Sequence, residues 1–146
     1  METIVGTIIL KDNKILMVKE AKEKCYGKWS FPAGHIEPNE TIYAGAKRET
    51  FEETGCTVTL KKAFPVLLKN TVNSKIVMIH FLSDLVNEEN NYNKDEILET
   101  KWISIDKIKN MSEKEFRSSA VVNQIINDIE KQNLYDLDIV KDMPKI

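Results

Sequence analysis

The chain has 146 residues, of which 42% are hydrophobic and 30% are charged, and this composition predicts one soluble globular domain spanning residues 1–146. Its 21 basic and 23 acidic residues nearly balance, and no strongly basic tract indicates a duplex nucleic acid partner. No apolar run is long enough to span a membrane, and the N-terminus lacks the basic flank and cleavage site of a signal peptide. Two cysteines without metal-ligand spacing predict a reducing, cytoplasmic environment.

The first third of the chain predicts a β-hairpin and a short strand. Glu2–Leu10 is rich in Ile, Val and Thr, and the turn Lys11–Lys14 joins it to a second apolar run, Ile15–Lys19. The polar segment Glu20–Lys28 is predicted to be a loop, and Trp29–Phe31 a short strand.

A helix is predicted from Glu40 to Thr54, with Asn39 as its N-cap and Gly55 as the residue that ends it. A helical wheel places Phe51 and Ala44 towards the core. The same wheel places Lys47, Thr50 and Thr54 opposite the stripe that carries Glu49, Glu52 and Glu53, where they can face water.

The second half predicts further strands. Thr57–Lys69 is β-rich but is interrupted by Pro65, and Lys75–Val86 is apolar enough for a central strand. Asn70–Ser74 between them is predicted to be a hairpin loop, and Glu99–Ile103 a short strand.

Helical signals dominate the end of the chain. A brief helix is predicted from Ser104 to Lys109. Ser112 and Glu115 have the spacing of a capping box, which predicts a longer helix from there to about Gln132.

Three carboxylates stand out on the first predicted helix. Glu49, Glu52 and Glu53 have i, i+3 and i+4 spacing, so they share one face within about one turn. Taken alone, such a group is most often a solvated helix face. Their mutual repulsion would instead be relieved by a hard cation with oxygen ligands, and Mg²⁺ is the usual ion beside phosphates.

The surrounding residues resemble the Nudix box, G-x5-E-x7-R-E-U-x-E-E-x-G-U, in which U is a bulky apolar residue. Thr50 and Cys56 are poorer matches to the two U positions. The lead-in Trp29–Gly34 and the later segment Asp95–Trp102 also resemble the family. All seven fixed positions of the box are present, namely Gly34, Glu40, Arg48, Glu49, Glu52, Glu53 and Gly55.

The resemblance implies an α/β fold, a Nudix-type α/β/α sandwich around a central mixed β-sheet. It also implies Mg²⁺ or Mn²⁺ as cofactor, with Glu49, Glu52, Glu53 and the carbonyl of Ala33 as ligands. Arg48 is expected to orient the carboxylates, and an ion pair with Glu52 is within its reach.

The general base stays open between a box glutamate, Glu52 or Glu53, and a later loop carboxylate. Glu96 is the first candidate in the loop and Glu99 the second, although both are equally compatible with plain surface positions. Glu40 begins the helix, where the dipole favours a carboxylate whatever its function.

Substrate contacts are proposed for Lys19, His35 and Phe31. Lys19 could belong to a cationic rim around a phosphate, His35 could meet a phosphate or the leaving group, and Phe31 could stack on a base. For each, the alternative is an ordinary surface or core position. His80, in an apolar strand, is expected to be a core or edge residue.

The expected function is divalent-metal-dependent hydrolysis of a phosphoanhydride bond by water, in a nucleoside di- or triphosphate or a related small molecule. Two alternatives remain, a non-nucleotide pyrophosphate such as a thiamine-related compound, or a Nudix module that binds a nucleotide without cleaving it. The intact carboxylates favour the enzyme. The partner is therefore a small nucleotide-like molecule, with no membrane involved, and the chain is a monomer or a homodimer.

Overall fold

A mixed β-sheet forms the centre of the protein. The computed structural model describes residues 1–143, and none of the helices within that range has the length and apolar content needed to cross a membrane. The strands are β1 (Glu2–Lys11), β2 (Lys14–Glu20), β3 (Trp29–Ser30), β4 (Ala33–His35), β5 (Cys56–Ala63), β6 (Leu67–Asn70), β7 (Lys75–Glu88) and β8 (Ile97–Ser104). The helices are α1 (Ile42–Thr54), α2 (Ile105–Asn110) and α3 (Ser119–Glu130).

Strands β1 and β7 run parallel through the middle of the sheet, and the other pairings are antiparallel. The order β3-β2-β1-β7-β5 is completed by β4 on β1, β6 on β7 and β8 on β2. The predicted hairpin of β1 and β2, the break at Pro65 and the turn before β7 are all confirmed.

Each face of the sheet carries its own hydrophobic core. Successive strand residues point to opposite faces, so Ile8 packs with α2 and α3, whereas Ile9 packs with Ala46 of α1. The sheet therefore lies between α1 on one side and α2 with α3 on the other. This is the α/β sandwich with a mixed sheet that the sequence predicted.

The start of α1 differs from the prediction. Asn39 is not the N-cap, because its backbone is left-handed, with φ at 82°. Thr41 caps the helix instead, its hydroxyl accepting from the Ala44 N–H at 3.1 Å. The carboxylate of Glu40 is thereby left outside the helix, where it accepts from the Glu37 N–H at 2.8 Å.

The predicted faces of α1 were also partly wrong. Phe51 and Ala44 are exposed, whereas Thr50 and Thr54 are buried. The Thr50 hydroxyl satisfies its hydrogen bonds against the Ala46 carbonyl at 2.8 Å and the Thr7 hydroxyl at 2.7 Å, so this small polar side chain can pack against β1.

The last helix begins later than predicted. The capping box of Ser112 and Glu115 is formed, but it closes a 3₁₀ turn at Glu113–Glu115. The chain then continues through Phe116 and Arg117, and the Arg117 N–H donates to the Trp29 carbonyl at 3.0 Å. Helix α3 starts at Ser119, with the Ser118 hydroxyl as its cap.

Candidate active site

The turn before the helix lies directly against the acidic face of α1. Strand β4 pairs with β1, and this pairing holds Ala33 and Gly34 over the helix. The Ala33 N–H donates to Glu53 Oε1 at 3.1 Å. A Cβ added at Gly34 would collide with the carboxylate of Glu49, so a larger residue there would force this carboxylate to move.

The glycine at the other end of the helix has a second steric role. Gly55 has φ at 74°, and a Cβ there would collide with the Glu89 carbonyl oxygen. The Glu89 N–H donates to the Gly55 carbonyl at 2.9 Å, and the Asn93 N–H donates to the Glu52 carbonyl at 2.8 Å. The C-terminal end of α1 thereby anchors the loop between β7 and β8.

Arg48 donates hydrogen bonds to four neighbouring residues. Its Nε and Nη2 donate to the two oxygens of Glu40, at 2.9 and 2.6 Å, and Nη1 donates to Glu49 at 2.9 Å. The predicted pair with Glu52 is present at a longer 3.3 Å, and Nη2 also reaches the His35 carbonyl at 3.1 Å. The Arg48 hydrogen bonds lower the pKa of Glu40, whose carboxylate is fully engaged in holding this network.

The two carboxylates nearest the turn are buried. Glu53 is 3% exposed, and burial, reinforced by the charge of Glu20, raises its pKa to about 9. Burial also raises the pKa of Glu49, against the opposing hydrogen bond from Arg48. Glu52 lies on the same face but is exposed. Nothing in folding alone favours burying the first two as charged groups.

These residues fit a divalent cation by their chemistry. Hard oxygen donors surround the turn, and a bound cation would offset the buried negative charge. Within residues 1–143, however, no three acidic, imidazole or thiol side chains converge on a common point. Arg48 draws Glu49 and Glu52 to one side while Glu53 faces the Ala33 N–H, so ligation requires carboxylate rotation.

The two loop carboxylates occupy different surroundings. The backbone of Glu96 is fixed by Asn93 and by the Ala21 N–H, which donates to its carbonyl at 2.8 Å. Its carboxylate is 4.0 Å from Lys22 Nζ, and its charge contributes to the raised pKa of Glu49. Glu99 instead pairs with Lys19 at 3.7 Å. Of the two loop carboxylates, Glu96 is the one whose charge acts on Glu49.

Comparison with known proteins shows which family the chain belongs to. A family model for the NUDIX domain matches residues 2–123, which is more than half of the chain. The chain belongs to the NUDIX domain family. A solved NUDIX hydrolase from Nitrosomonas europaea superposes with a TM-score of 0.87 at 26% identity, covering 97% of both chains.

Curated relatives match over shorter stretches. The zebrafish 8-oxo-dGDP phosphatase NUDT18 is 47% identical over 53 residues, which are 36% of this chain and 16% of that protein. An ADP-ribose pyrophosphatase from Methanocaldococcus jannaschii is 32% identical over 87 residues, 58% of this chain and 52% of that protein. The match thus spans about a sixth of the first relative and about half of the second.

A cavity of about 320 Å³ opens beside this Nudix box, and Ala33 and Gly34 form part of its wall. Of the predicted substrate contacts, His35 lines it, exposed and bonded to Glu2, and Phe31 lines it with a ring that is otherwise buried in the core. Lys19 lies on the neighbouring strand, its ammonium 5.7 Å from the Trp29 ring centre. The cations on the cavity wall are Lys22, Lys24, Lys69 and Arg117.

Sequence reasoning missed the polar wall of this cavity. Glu20 was assigned to a loop, yet it ends β2 with 3% exposure and pairs with Arg117, from the segment before α3, at 2.9 Å. His80 is buried in β7, as expected for a core position, but it also lines the cavity. Arg117 carries no local signal, because only the fold brings it to Glu20, 97 residues away.

Proposed function

We propose that this Nudix chain hydrolyses a phosphoanhydride bond in a nucleoside di- or triphosphate, or in a related small molecule linked to a nucleoside diphosphate. The observation that carries the proposal is the burial of Glu49 and Glu53 against the Gly34 turn, at the edge of a cavity with a cationic wall. Such a pair of carboxylates is costly to the fold and useful to a reaction that needs a divalent ion.

Glu49, Glu52, Glu53 and the Ala33 carbonyl are the proposed ligands of this ion, Mg²⁺ or Mn²⁺. When bound, a divalent ion neutralises phosphate charge and makes water more acidic. Arg48 is held by its bonds to Glu40, and it is proposed to orient Glu49 and Glu52 when their carboxylates turn towards the ion.

A proton must leave the attacking water. Glu96 is the proposed general base among the loop carboxylates, because its charge is felt at Glu49 and its backbone is fixed on two sides. Glu52 and Glu53 remain the candidates within the box. Glu99 is the weaker loop candidate, because its pairing with Lys19 holds it at the strand.

The substrate is proposed to lie in the cavity with its phosphates towards the lysines. Lys22 and Lys24 line the wall, whereas Lys19 pairs with Glu99 and is not one of the lining residues. His35 is the proposed contact for a phosphate or the leaving group, and Phe31 is the proposed stacking partner of the base. The names of the two curated relatives, an 8-oxo-dGDP phosphatase and an ADP-ribose pyrophosphatase, support a nucleotide-like substrate without choosing between them.

The test is release of phosphate, pyrophosphate or nucleoside monophosphate from a panel of nucleoside di- and triphosphates, ADP-ribose, nucleotide sugars and thiamine diphosphate. Each compound is incubated with Mg²⁺, with Mn²⁺ and with EDTA. We expect turnover with at least one nucleotide and its loss in EDTA. Turnover of thiamine diphosphate alone would replace the nucleotide assignment, and no turnover of any compound would favour a binding module.

A further inference from the structure

Two buried polar atoms lack a hydrogen-bond partner within the described part of the chain. They are Glu20 Oε1 and His80 Nδ1. Glu20 lies at the end of β2 and His80 in β7, 60 positions apart, yet both residues line the same cavity beside the Nudix box. Buried polar groups are normally paired, so two such atoms around one cavity indicate a ligand.

Glu20 offers an acceptor in a fixed position. Its Oε2 accepts from the Ser30 hydroxyl and from Arg117 Nη1, both at 2.9 Å. Its backbone is held by the loop, since the Glu20 N–H donates to the Lys28 carbonyl at 2.9 Å. The other oxygen, Oε1, has no partner among residues 1–143 and can accept a hydrogen bond from a ligand.

His80 offers a group that can take either role. The ring is 1% exposed and meets the edge of Phe31 with 6.5 Å between ring centres. Burial lowers the pKa of His80 to about 4, so the imidazole is neutral near pH 7. A neutral imidazole donates from one nitrogen and accepts at the other, and the tautomer adapts to the ligand.

The remaining walls suit a flat ring. Phe31, Ile76, Met78 and Val121 contribute apolar surface, and the volume of about 320 Å³ is at the lower end of the usual range for small-molecule sites. Ala33 and Gly34 join this cavity to the carboxylates of the box. A base in the cavity therefore leaves its phosphates near the proposed ion.

We propose that the cavity binds the base of the nucleotide and that Glu20 selects a purine with the guanine edge, where an N–H and an amino group stand side by side. Oε1 accepts from these donors. Adenine presents a ring acceptor at the corresponding position, which repels the carboxylate. This assignment rests on the proposed function for the position of the phosphates, but its test does not need turnover.

The test is calorimetric titration of the protein with GMP, IMP and AMP. IMP keeps the ring N–H of GMP and lacks its amino group, whereas AMP presents a ring acceptor. We expect the affinity to fall in the order GMP, IMP, AMP. GMP should bind roughly 10- to 100-fold more tightly than AMP, because two hydrogen bonds to the guanine edge are lost in AMP. Equal affinities, a preference for AMP, or no binding of any of the three would overturn the assignment.

The decisive variant is Glu20→Gln. Ser30 and Arg117 both donate to the same oxygen, so they hold the amide oxygen towards themselves and turn the amide NH₂ to the open position. The open position thus changes from acceptor to donor, and the ratio of GMP to AMP affinity should fall at least tenfold. Glu23→Gln, an exposed carboxylate three positions along, is the matched control and should keep the ratio.

His80→Phe separates affinity from selectivity. Because the neutral ring of His80 can donate or accept, its loss should weaken all three ligands and leave their ratio unchanged. A ratio that collapses in His80→Phe and persists in Glu20→Gln would contradict the assignment to Glu20. If Glu20→Gln fails to fold, the wild-type series decides alone. A protein that binds GMP selectively yet cleaves nothing would sink the proposed function and leave this assignment standing.

Discussion

Two regions of the site differ in how completely their charged and polar side chains are paired within the protein. On the outer side of α1, Arg48 pairs with Glu40, Glu49 and Glu52, and the Glu40 carboxylate has a partner for each oxygen. On the cavity side, Glu53 is buried with a raised pKa, and Glu20 and His80 each keep one atom without a partner among residues 1–143.

The difference separates scaffolding from function. A group whose hydrogen bonds are complete inside the protein has little left to offer a ligand, whereas a buried group with an open position lowers stability until something binds. Substitution of Glu40 should therefore affect mainly stability, whereas substitution of the proposed ion ligands or of the cavity groups should affect mainly turnover and binding.

The largest effect is expected for Glu53→Gln. The substitution keeps the shape of the side chain and removes a proposed metal ligand, so metal-dependent kcat should fall about a thousandfold or more, since metal ions supply several kcal/mol of charge stabilisation. Product release with Mg²⁺ measures the loss. Thermal denaturation in EDTA near pH 7 should show a fold at least as stable as the parent, because the parent must take up a proton at Glu53 when it folds above about pH 4.5.

The exposed Glu113→Gln is a control that lies away from the box and should keep full activity. Near wild-type activity in Glu53→Gln would remove Glu53 from the ligand set. A large loss of stability would instead place it with the scaffolding carboxylates.

The second largest effect is expected for Glu96→Gln. A general base contributes roughly 10² to 10⁴ to the rate, so kcat should fall by about that factor while KM changes little. Steady-state kinetics on the same substrate separate the two constants. A change confined to KM would show that Glu96 positions the substrate or ion. Glu99→Gln provides the comparison, and it should lower kcat less than Glu96→Gln does.

The acidic face of α1 could be predicted from the sequence because the residues that form it are close together in the chain. Glu49, Glu52 and Glu53 lie within five consecutive residues, and helical geometry alone puts them together. The hairpin, the break at Pro65 and the mixed α/β class could be predicted for the same reason: short-range pattern and turn chemistry determine them. The N-cap prediction was wrong at Asn39, because its backbone is left-handed and Thr41 caps the helix instead.

The cavity wall could not be predicted in this way. Glu20 is read as the start of a polar loop until β3 and the segment before α3 bring Ser30 and Arg117 to it. Phe51 is exposed and Thr50 is buried, the reverse of the prediction, because burial on α1 depends on which face of the helix meets β1. Such contacts join distant parts of the chain, so no window of sequence contains them.

The pH dependence of stability should differ between the metal-free and metal-bound protein. The pKa of Glu53 is raised from 4.5 to about 9 in the metal-free fold, so the folded state binds this proton more tightly than the unfolded chain. Its contribution is therefore complete below about pH 4.5 and is lost as pH rises towards 9. Urea denaturation in EDTA should show this decline.

Millimolar Mg²⁺ should oppose the decline, since an ion that binds the ionised form stabilises most at high pH. Glu53→Gln should flatten the metal-free profile. If the metal-free stability of the parent changed as little with pH as that of Glu53→Gln, the pKa of Glu53 would not be raised in the fold. The contrast between the two regions would then weaken.

On the Arg48 side, Glu40→Gln should lower stability by about 1–3 kcal/mol, the usual cost of losing hydrogen bonds to a charged group. The kcat should fall less than tenfold, because Glu49 and Glu52 still contact Arg48. Glu37→Gln is the matched control, since its carboxylate is exposed and 3.6 Å from Arg48 Nη1, and it should change stability by less than about 1 kcal/mol. Equal effects of the two variants would contradict the structural role of Glu40.

The smallest effect is expected where α1 meets the sheet, at Thr50. Thr50→Val removes the hydroxyl that bonds Thr7 and the Ala46 carbonyl, and it leaves the Thr7 hydroxyl without that partner, so stability should fall by about 1 kcal/mol. The double variant Thr7→Val/Thr50→Val should cost less than the sum of the two single changes, because no unpaired hydroxyl remains. Phe51→Ser, next in sequence but exposed, should stay within about 0.5 kcal/mol of the parent in urea denaturation, and kcat/KM should be unchanged throughout. A drop in kcat/KM for Thr50→Val without loss of stability would show that the helix–sheet contact tunes the acidic face, and the division between scaffold and site would then have to be drawn closer to the cavity.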